Sequence, residues 1–139
     1  MISLRKAENR DCNDLFKWRN DHRIRKWFFN TDKVSLANHR KWFNKNKNNI
    51  LIAENEHKVM LGQFRWKVES YISVSVNLDP RFLDKGIGRE IIKQGTNKLQ
   101  RIYSKKIVAE ILDKNIASRK AFTKAGYKYS HRVYIKREE

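Results

Sequence analysis

A short loop near the middle of the chain carries residue types that bind phosphate groups. The loop runs Lys85-Gly86-Ile87-Gly88-Arg89, follows Asp79-Pro80, and leads into an amphipathic segment. Glycines let a backbone approach a ligand closely, and free N–H groups at the start of a helix attract anions. The sequence therefore predicts a diphosphate site here, with a simple tight turn as the alternative. The loop lacks the Gly-Lys-Ser/Thr ending of a Walker A motif and the third glycine of the dinucleotide fingerprint, which excludes both motifs.

The elements before this loop follow from the spacing of apolar residues. Residues 2–6 predict a strand, and Asp11 is typical of the N-cap of a helix that frays near Asn20. Ser35 caps a second predicted helix, whose apolar stripe contains His39. Residues 50–53 and 59–66 predict a hairpin, and residues 71–78 alternate strictly between apolar and polar, which makes them the clearest strand.

The elements after the loop alternate between helix and strand. We predict a helix over 89–102, a strand over 107–112, a helix over 117–125 that stops at Gly126, and a closing strand over 133–136. Three consecutive strands followed by alternating elements predict one α/β domain over residues 1–139, built on a mixed sheet.

The chain is strongly basic, with 32 Lys and Arg residues against 15 Asp and Glu residues and a formal net charge of +17. This balance indicates a polyanionic partner or a phosphorylated ligand, although 19 lysines and 13 asparagines also suggest a compositional bias. Cys12 is the only cysteine, so no intrachain disulfide and no cysteine-based metal cluster can form. The sequence shows no signal peptide and no membrane-length apolar run, so we expect a cytoplasmic protein with no metal site.

Two motifs together resemble the GNAT N-acetyltransferases. Leu78-Asp79-Pro80 followed by residues 83–88 is similar to the family's acetyl-CoA motif, in which Arg or Gln usually stands where this chain has Leu83. Residues 115–127 resemble the second motif, Asn-x-x-(Ala/Ser)-x-x-x-(Tyr/Phe)-x-x-x-Gly-(Phe/Tyr). The strand and helix order also fits, so the resemblance covers nearly the whole chain.

This resemblance implies a mixed sheet that splays between the fourth and fifth strands, about four helices and a shortened C-terminal strand pair. Acetyl-CoA would enter the opening as a co-substrate, pairing with the unpaired backbone of the fourth strand, where the N–H near Leu78 would polarise the thioester carbonyl. The implied cofactor contacts are Leu78, Leu83, Asp84, Lys85, Gly86, Ile87, Gly88, Arg89, Asn115, Ser118 and Phe122. Asn115 is equally well read as a plain helix cap.

Acetyl transfer needs a base for the amine and, in many family members, a tyrosine that protonates the thiolate. Phe122 stands at that tyrosine position and has no hydroxyl group, so the acid would be water, Ser118, Tyr127 or Tyr134. The candidates for the base are Glu54, His39, and a water chain gated by Ser73 or Ser75. Glu54 in a solvated turn and His39 packed on Trp42 are the purely structural alternatives.

The N-terminal third is rich in aromatic and basic residues that could hold an acceptor. This part resembles the subgroup of the family that acetylates UDP-4-amino-sugars in pseudaminic-acid-type biosynthesis, through Arg19-Asn20, Trp27, Ser35-Leu36, His39 and Trp42-Phe43. The implied substrate-binding residues are Arg19, Asn20, Trp27, His39 and Tyr71. Ordinary core aromatics with surface cations are the alternative.

The leading prediction is therefore acetyl-CoA-dependent N-acetylation of a nucleotide-linked aminosugar, a small-molecule substrate. Acetylation of a protein N-terminus is the second reading, and a basic nucleic-acid-binding domain the third and least favoured. We expect no membrane partner. Thirteen residues follow Gly126. The final strand would thus be short or be supplied by the partner in a homodimer.

Overall fold

The computed structural model describes residues 1–138, within which the chain forms five strands and five α-helices. The strands are β1 (Ser3–Lys6), β2 (Ile50–Glu54), β3 (Met60–Val68), β4 (Ile72–Leu78) and β5 (Ile107–Val108). The helices are α1 (Cys12–Asn20), α2 (His22–Arg25), α3 (Leu36–Asn46), α4 (Ile87–Ile102) and α5 (Ile116–Lys124).

The strands form one mixed sheet in the order β1-β2-β3-β4-β5. The first four strands pair antiparallel, whereas β4 and β5 pair parallel. The parallel ladder contains only two pairs, Ile72 with Ile107 and Ser73 with Val108. Beyond these pairs β4 and the chain after β5 separate, which confirms the predicted splay.

The sheet has a different hydrophobic core on each face. On one face α1 and α3 bury a cluster of Leu15, Trp18, Phe43, Ile50 and Ile52. On the other face α4 and α5 bury the larger cluster, which includes Leu51, Phe64, Ile91, Leu99 and Phe122. Successive residues of β2 divide between the two cores because side chains alternate across a strand. The splayed edge of the sheet therefore lies between two packed helical layers.

One helix was not expected from the spacing of apolar residues. The first helix ends at Asn20 as predicted, but a further helical turn, α2, follows it, and Asp21 caps this turn by accepting a hydrogen bond of 2.9 Å from the Arg23 N–H. The Arg23 side chain also holds this carboxylate and is the main reason that the pKa of Asp21 falls to about 2. Asp21 thus ends α1 and starts α2, which turns the chain toward the aromatic segment that follows.

The C-terminal part departs most from the prediction. The strand expected over 107–112 pairs for only two residues, because the chain diverges from β4 after Val108. The predicted closing strand over 133–136 is not formed, and Val133, Tyr134 and Ile135 are exposed. Residues 133–136 do not extend the sheet because β5, with two residues, offers too short an edge for another strand to pair along.

Candidate active site

A cleft of about 420 Å³ opens where β4 and β5 part. Residues 73–77 of β4 form its floor, residues 110–112 form the facing wall, and Asn115, Ser118 and Phe122 close one end. The other end is aromatic and basic, with Trp27, Phe28, Phe29, Trp42, Arg65 and Lys67. The cleft thus joins the two faces of the sheet through the splay.

Two backbone N–H groups of β4 face this opening. The N–H of Ile72 donates to the Lys106 carbonyl on the β5 side, whereas that of Asp79 donates to Leu61 on the β3 side. Because N–H directions alternate along a strand, the amides of Val76 and Leu78 point toward the diverging β5 side. Val76 lies on the floor of the cleft and Leu78 just beyond it, near the place where the family resemblance implies that the thioester carbonyl binds.

The glycine loop follows directly from this part of β4. Asp79 caps the turn after the strand by accepting a hydrogen bond of 2.9 Å from the Arg81 N–H. Asp84 has φ 60° and Gly86 has φ 75°, so two left-handed residues shape the loop, and Gly86 is the N-cap of α4. The first N–H groups of α4 lack helical acceptors, and the exposed Lys85 and Arg89 side chains surround them with positive charge. Leu83 is half-buried and ends the turn after Asp79.

The second motif builds the end wall of the cleft. Asn115 caps α5, since its Oδ1 accepts the Ser118 N–H at 3.2 Å, and both residues line the cleft. Phe122 is buried, and its ring meets the edge of Tyr127 with the ring centroids 5.0 Å apart. Tyr127 in turn bonds to the Thr96 hydroxyl at 2.7 Å, and burial raises the pKa of Tyr127. Of the side chains predicted as acids, Ser118 therefore lines the cleft, whereas Tyr127 packs outside it and Tyr134 is exposed elsewhere.

The predicted bases are placed apart from one another. Ser73 and Ser75 lie on the cleft floor, whereas Glu54 and His39 do not line the cleft. Glu54 is buried and its carboxylate meets the Arg5 Nε at 3.0 Å, so it is not a solvated turn residue and its carboxylate faces an internal cation. This ion pair is the reason that we do not retain Glu54 as a base.

His39 joins α3 to α1 and is not part of the cleft. Its Nε2–H donates to the Cys12 carbonyl at 3.1 Å, and its ring packs between Phe16 and Trp42. Burial is the main cause that lowers the pKa of His39, so the ring is neutral near pH 7. These contacts give His39 a packing role between α3 and α1. We therefore do not retain His39 as a base or as a substrate ligand.

A carboxylate that the sequence analysis missed lies in the cleft. Glu110 follows β5, is exposed, and is the one carboxylate among the cleft-lining residues that the structure describes. It fell inside the strand predicted over 107–112, where a single Glu reads as a solvent-facing residue. Because β5 ends at Val108, Glu110 lies in the segment that has left β4, and its side chain lines the opening.

Of the predicted acceptor residues, only Trp27 lines the cleft. Arg19 stacks on Phe28, with its guanidinium carbon 4.3 Å from the ring centroid. Asn20 exchanges two hydrogen bonds of 2.8 Å with the Val34 backbone, which fastens the loop between α2 and α3. Tyr71 precedes β4 and is 40% exposed outside the cleft. Arg19 and Asn20 therefore support the aromatic wall from behind.

The described residues offer no metal site and no membrane-spanning helix. Within residues 1–138, no group of three His, Cys, Asp or Glu side chains could hold a metal ion. No helix in this part of the chain has the length and apolar character needed to cross a membrane.

The fold is shared with several solved structures. A domain from Methanocaldococcus jannaschii is 23% identical with a TM-score of 0.85, over 96% of this chain and 92% of that one. The spermidine N-acetyltransferase of Vibrio cholerae, solved with CoA and spermine, is 18% identical with a TM-score of 0.81, over 94% and 83% of the two chains. An N-acetyltransferase from Staphylococcus aureus Mu50 is 20% identical with a TM-score of 0.81, over 94% and 86%. At these identities the likeness establishes the fold.

The family of this chain is assigned from its sequence, by comparison with family profiles. No curated protein matches it significantly. The family profile described as an acetyltransferase (GNAT) domain matches residues 2–128, which include the splayed strands, the glycine loop and α5. The chain therefore belongs to the GNAT acetyltransferase family and is an N-acetyltransferase that takes its acetyl group from acetyl-CoA.

Proposed function

We propose that this enzyme acetylates the amino group of a nucleotide-linked aminosugar, of the UDP-4-amino-sugar type. The observation that carries the proposal is the aromatic end of the cleft. Trp27, Phe28 and Trp42 line it on the α3 side of the sheet, and the cleft continues from them to the open edge of β4. Flat rings of this kind stack on a nucleobase or a sugar ring, while the opening leads the amine toward the thioester.

The charge of the cleft also favours an anionic acceptor over a cationic one. Arg65 and Lys67 lie at its aromatic end, against the single carboxylate of Glu110. A polyamine would meet these cations and the net charge of +17, so we do not extend the spermine ligand of the Vibrio cholerae structure to this chain. A nucleoside diphosphate has the opposite charge and fits this end.

Acetyl-CoA fits the remaining part of the site. The inward N–H groups of Val76 and Leu78 would pair with the pantetheine arm in the manner of an added strand, and the N–H of Leu78 would polarise the thioester carbonyl. The first turn of α4, with Lys85 and Arg89, would hold the diphosphate. Asn115 and Ser118 would border the arm from the α5 side.

Direct transfer in a ternary complex from an ammonium group requires two protons to leave the nitrogen. Glu110 would take the first, directly or through a water at Ser73 or Ser75, so that a neutral amine attacks the carbonyl carbon. A C–N bond forms, the C–S bond breaks, and the second proton passes from the nitrogen, through water or Ser118, to the departing CoA sulfur, which leaves as the thiol. Phe122 takes no part in this transfer and only packs.

The proposal is tested with a panel of acceptors. We expect turnover of a UDP-4-amino-4,6-dideoxy sugar, followed as free CoA thiol, with the acetyl group on nitrogen by mass spectrometry. Glu110→Gln should lower kcat with acetyl-CoA affinity unchanged, whereas the matched change Glu56→Gln, an exposed carboxylate outside the cleft, should have no effect. Acetylation of an N-terminal peptide without turnover of any UDP-aminosugar would replace this proposal with the protein acetyltransferase reading.

A further inference from the structure

Arg65 is a half-buried cation at the aromatic end of the cleft. It lies on β3, between Ile50 of β2 and Ser75 of β4 in the register of the sheet. Its guanidinium carbon is 5.1 Å from the centroid of the Trp42 ring, which places the charge under α3. The side chain lines the cleft at the level where β4 has left β5.

The Arg65 guanidinium has no anionic partner among residues 1–138. None of the hydrogen bonds or ion pairs in this part of the chain involves it, whereas Arg5, Arg23 and Arg81 each meet a carboxylate at 2.8 Å. The cation that acts on it is Arg19, which repels it. Burial and, to a smaller extent, Arg19 lower the pKa of Arg65 to about 10. A charge held partly out of water without a partner costs stability, so this cation points to a counter-ion that arrives with a ligand.

The phosphates of CoA do not supply this counter-ion. Phe64, the neighbour of Arg65, packs against Gly95 of α4, so the alternation of β3 directs Arg65 to the opposite face of the sheet. The glycine loop begins α4, and its residues do not line the cleft. The diphosphate loop and Arg65 therefore belong to different ends of the site.

We infer that Arg65 binds an oxyanion of the acetyl acceptor, a phosphate oxygen in the case of a nucleotide-linked aminosugar, and so selects acceptors that carry negative charge near the amine. This inference rests on the proposed function and names the residue that reads the acceptor's charge. A guanidinium is planar and presents its N–H groups as a fork, which suits two-point binding of a phosphate or carboxylate. Ser75, next to Arg65 in the sheet, would add a hydroxyl group to the same subsite.

The decisive variant is Arg65→Gln, with Arg40→Gln as its matched control. Arg40 lies on α3, is exposed, and does not line the cleft. We expect Arg65→Gln to raise the KM for the UDP-aminosugar by about tenfold or more, and to weaken calorimetric binding of UDP by a similar factor, since a charge-assisted hydrogen bond is lost. The KM for acetyl-CoA should stay within about twofold. Arg40→Gln should change none of these values, and Arg65→Lys should recover part of the UDP affinity.

Thermal stability separates this role from a structural one. Because Arg65 has no carboxylate partner to lose, the Tm of Arg65→Gln should equal or exceed that of the unaltered enzyme. A large fall in Tm would assign Arg65 to the fold and overturn the inference, as would an unchanged UDP affinity or a rise in the KM for acetyl-CoA alone.

Failure of the proposed function has a different signature. If the enzyme turns over no UDP-aminosugar, binding of UDP and of inorganic pyrophosphate still decides the role of Arg65. Weaker binding of either probe by Arg65→Gln supports an oxyanion subsite for another class of acceptor. Equal binding, or no binding to the unaltered enzyme, overturns the subsite.

Discussion

Phe122 tests whether this active site needs a side-chain acid. Its ring is 5% exposed and packs edge-on to Tyr127. We expect Phe122→Leu to keep most of the turnover, because water can protonate a CoA thiolate, and to lose about 1 kcal/mol of stability with the aromatic pair. Steady-state kinetics and a thermal melt measure the two effects. A collapse of kcat at intact acetyl-CoA affinity would show that Phe122 positions the reacting groups.

Asp11 makes the stability of the enzyme depend on pH. Burial alone would raise its pKa, but hydrogen bonds from the Arg5 guanidinium and the Glu8 N–H outweigh burial and lower it. A carboxylate with a lowered folded pKa stabilises the fold fully above its unfolded pKa, about 3.9, and that stabilisation is lost as the pH falls below it. We therefore expect the free energy of unfolding to fall from about pH 5 downward.

The matched variant for this effect is Asp11→Asn. At pH 7 it should cost about 1–3 kcal/mol in chemical denaturation, because a buried hydrogen-bonded charge pair loses one partner. The gap between this variant and the unaltered protein should narrow as the pH falls from about 5 and close only below the lowered pKa of Asp11 in the folded state. Glu69→Gln, which removes an exposed carboxylate, should follow the unaltered curve. A pH-independent gap would assign the cost of Asp11→Asn to packing.

At the scale of elements, the contact of α4 with the sheet depends on one small residue. A Cβ placed on Gly95 would lie 2.6 Å from the Phe64 ring, far inside van der Waals contact. Gly95→Ala should therefore lower the free energy of unfolding by about 1–3 kcal/mol, although alanine is the better helix former. Asn97→Ala on the exposed side of α4 should be neutral or slightly stabilising. If Phe64→Leu does not relieve the loss, the clash is not its cause.

The start of α4 is the element on which cofactor binding depends. Gly86 has φ 75°, and a Cβ there would project into open space where the diphosphate would lie. We expect Gly86→Val and Gly88→Val to abolish calorimetric binding of acetyl-CoA, the first through both backbone strain and obstruction. A thermal melt must show that the variants are folded. A folded variant with normal affinity would remove the loop from the cofactor site.

The elements with strong patterns were predictable, and those set by tertiary pairing were not. Strict alternation placed β4 correctly, and the apolar stripe placed α4 within two residues. The early end of β5 depends on where two strands diverge, which no local pattern records. His39 and Glu54 show the same limit, because a titratable side chain on an apolar face looks identical in sequence whether it meets a substrate or an internal partner. Arg65 was missed because only the structure shows that it lacks a carboxylate.

At the scale of the whole molecule, the charge is distributed rather than local. The net charge of +17 includes the cations of the glycine loop and of the cleft, which sit at separate ends of one site. Such a field draws the anionic cofactor toward the opening, would draw the proposed anionic acceptor there too, and raises association rates at low ionic strength. This arrangement gives the basic composition a role that does not require nucleic acid as the ligand.

The two-pair ladder between β4 and β5 makes β4 an interior strand at one end and an edge strand at the other. Its amides should therefore differ in hydrogen exchange along a single strand. Those of Val76 and Leu78 should exchange quickly in the free enzyme and slow down in the presence of acetyl-CoA, whereas the amide of Ser75, directed at β3, should be slow in both states. The strand then acts as a built-in reporter of ligation, and residue-resolved NMR exchange can follow cofactor binding without any acceptor. An exposed edge of this kind is also a template for unwanted pairing between chains. The enzyme should consequently resist aggregation better when acetyl-CoA fills the opening than when it is empty.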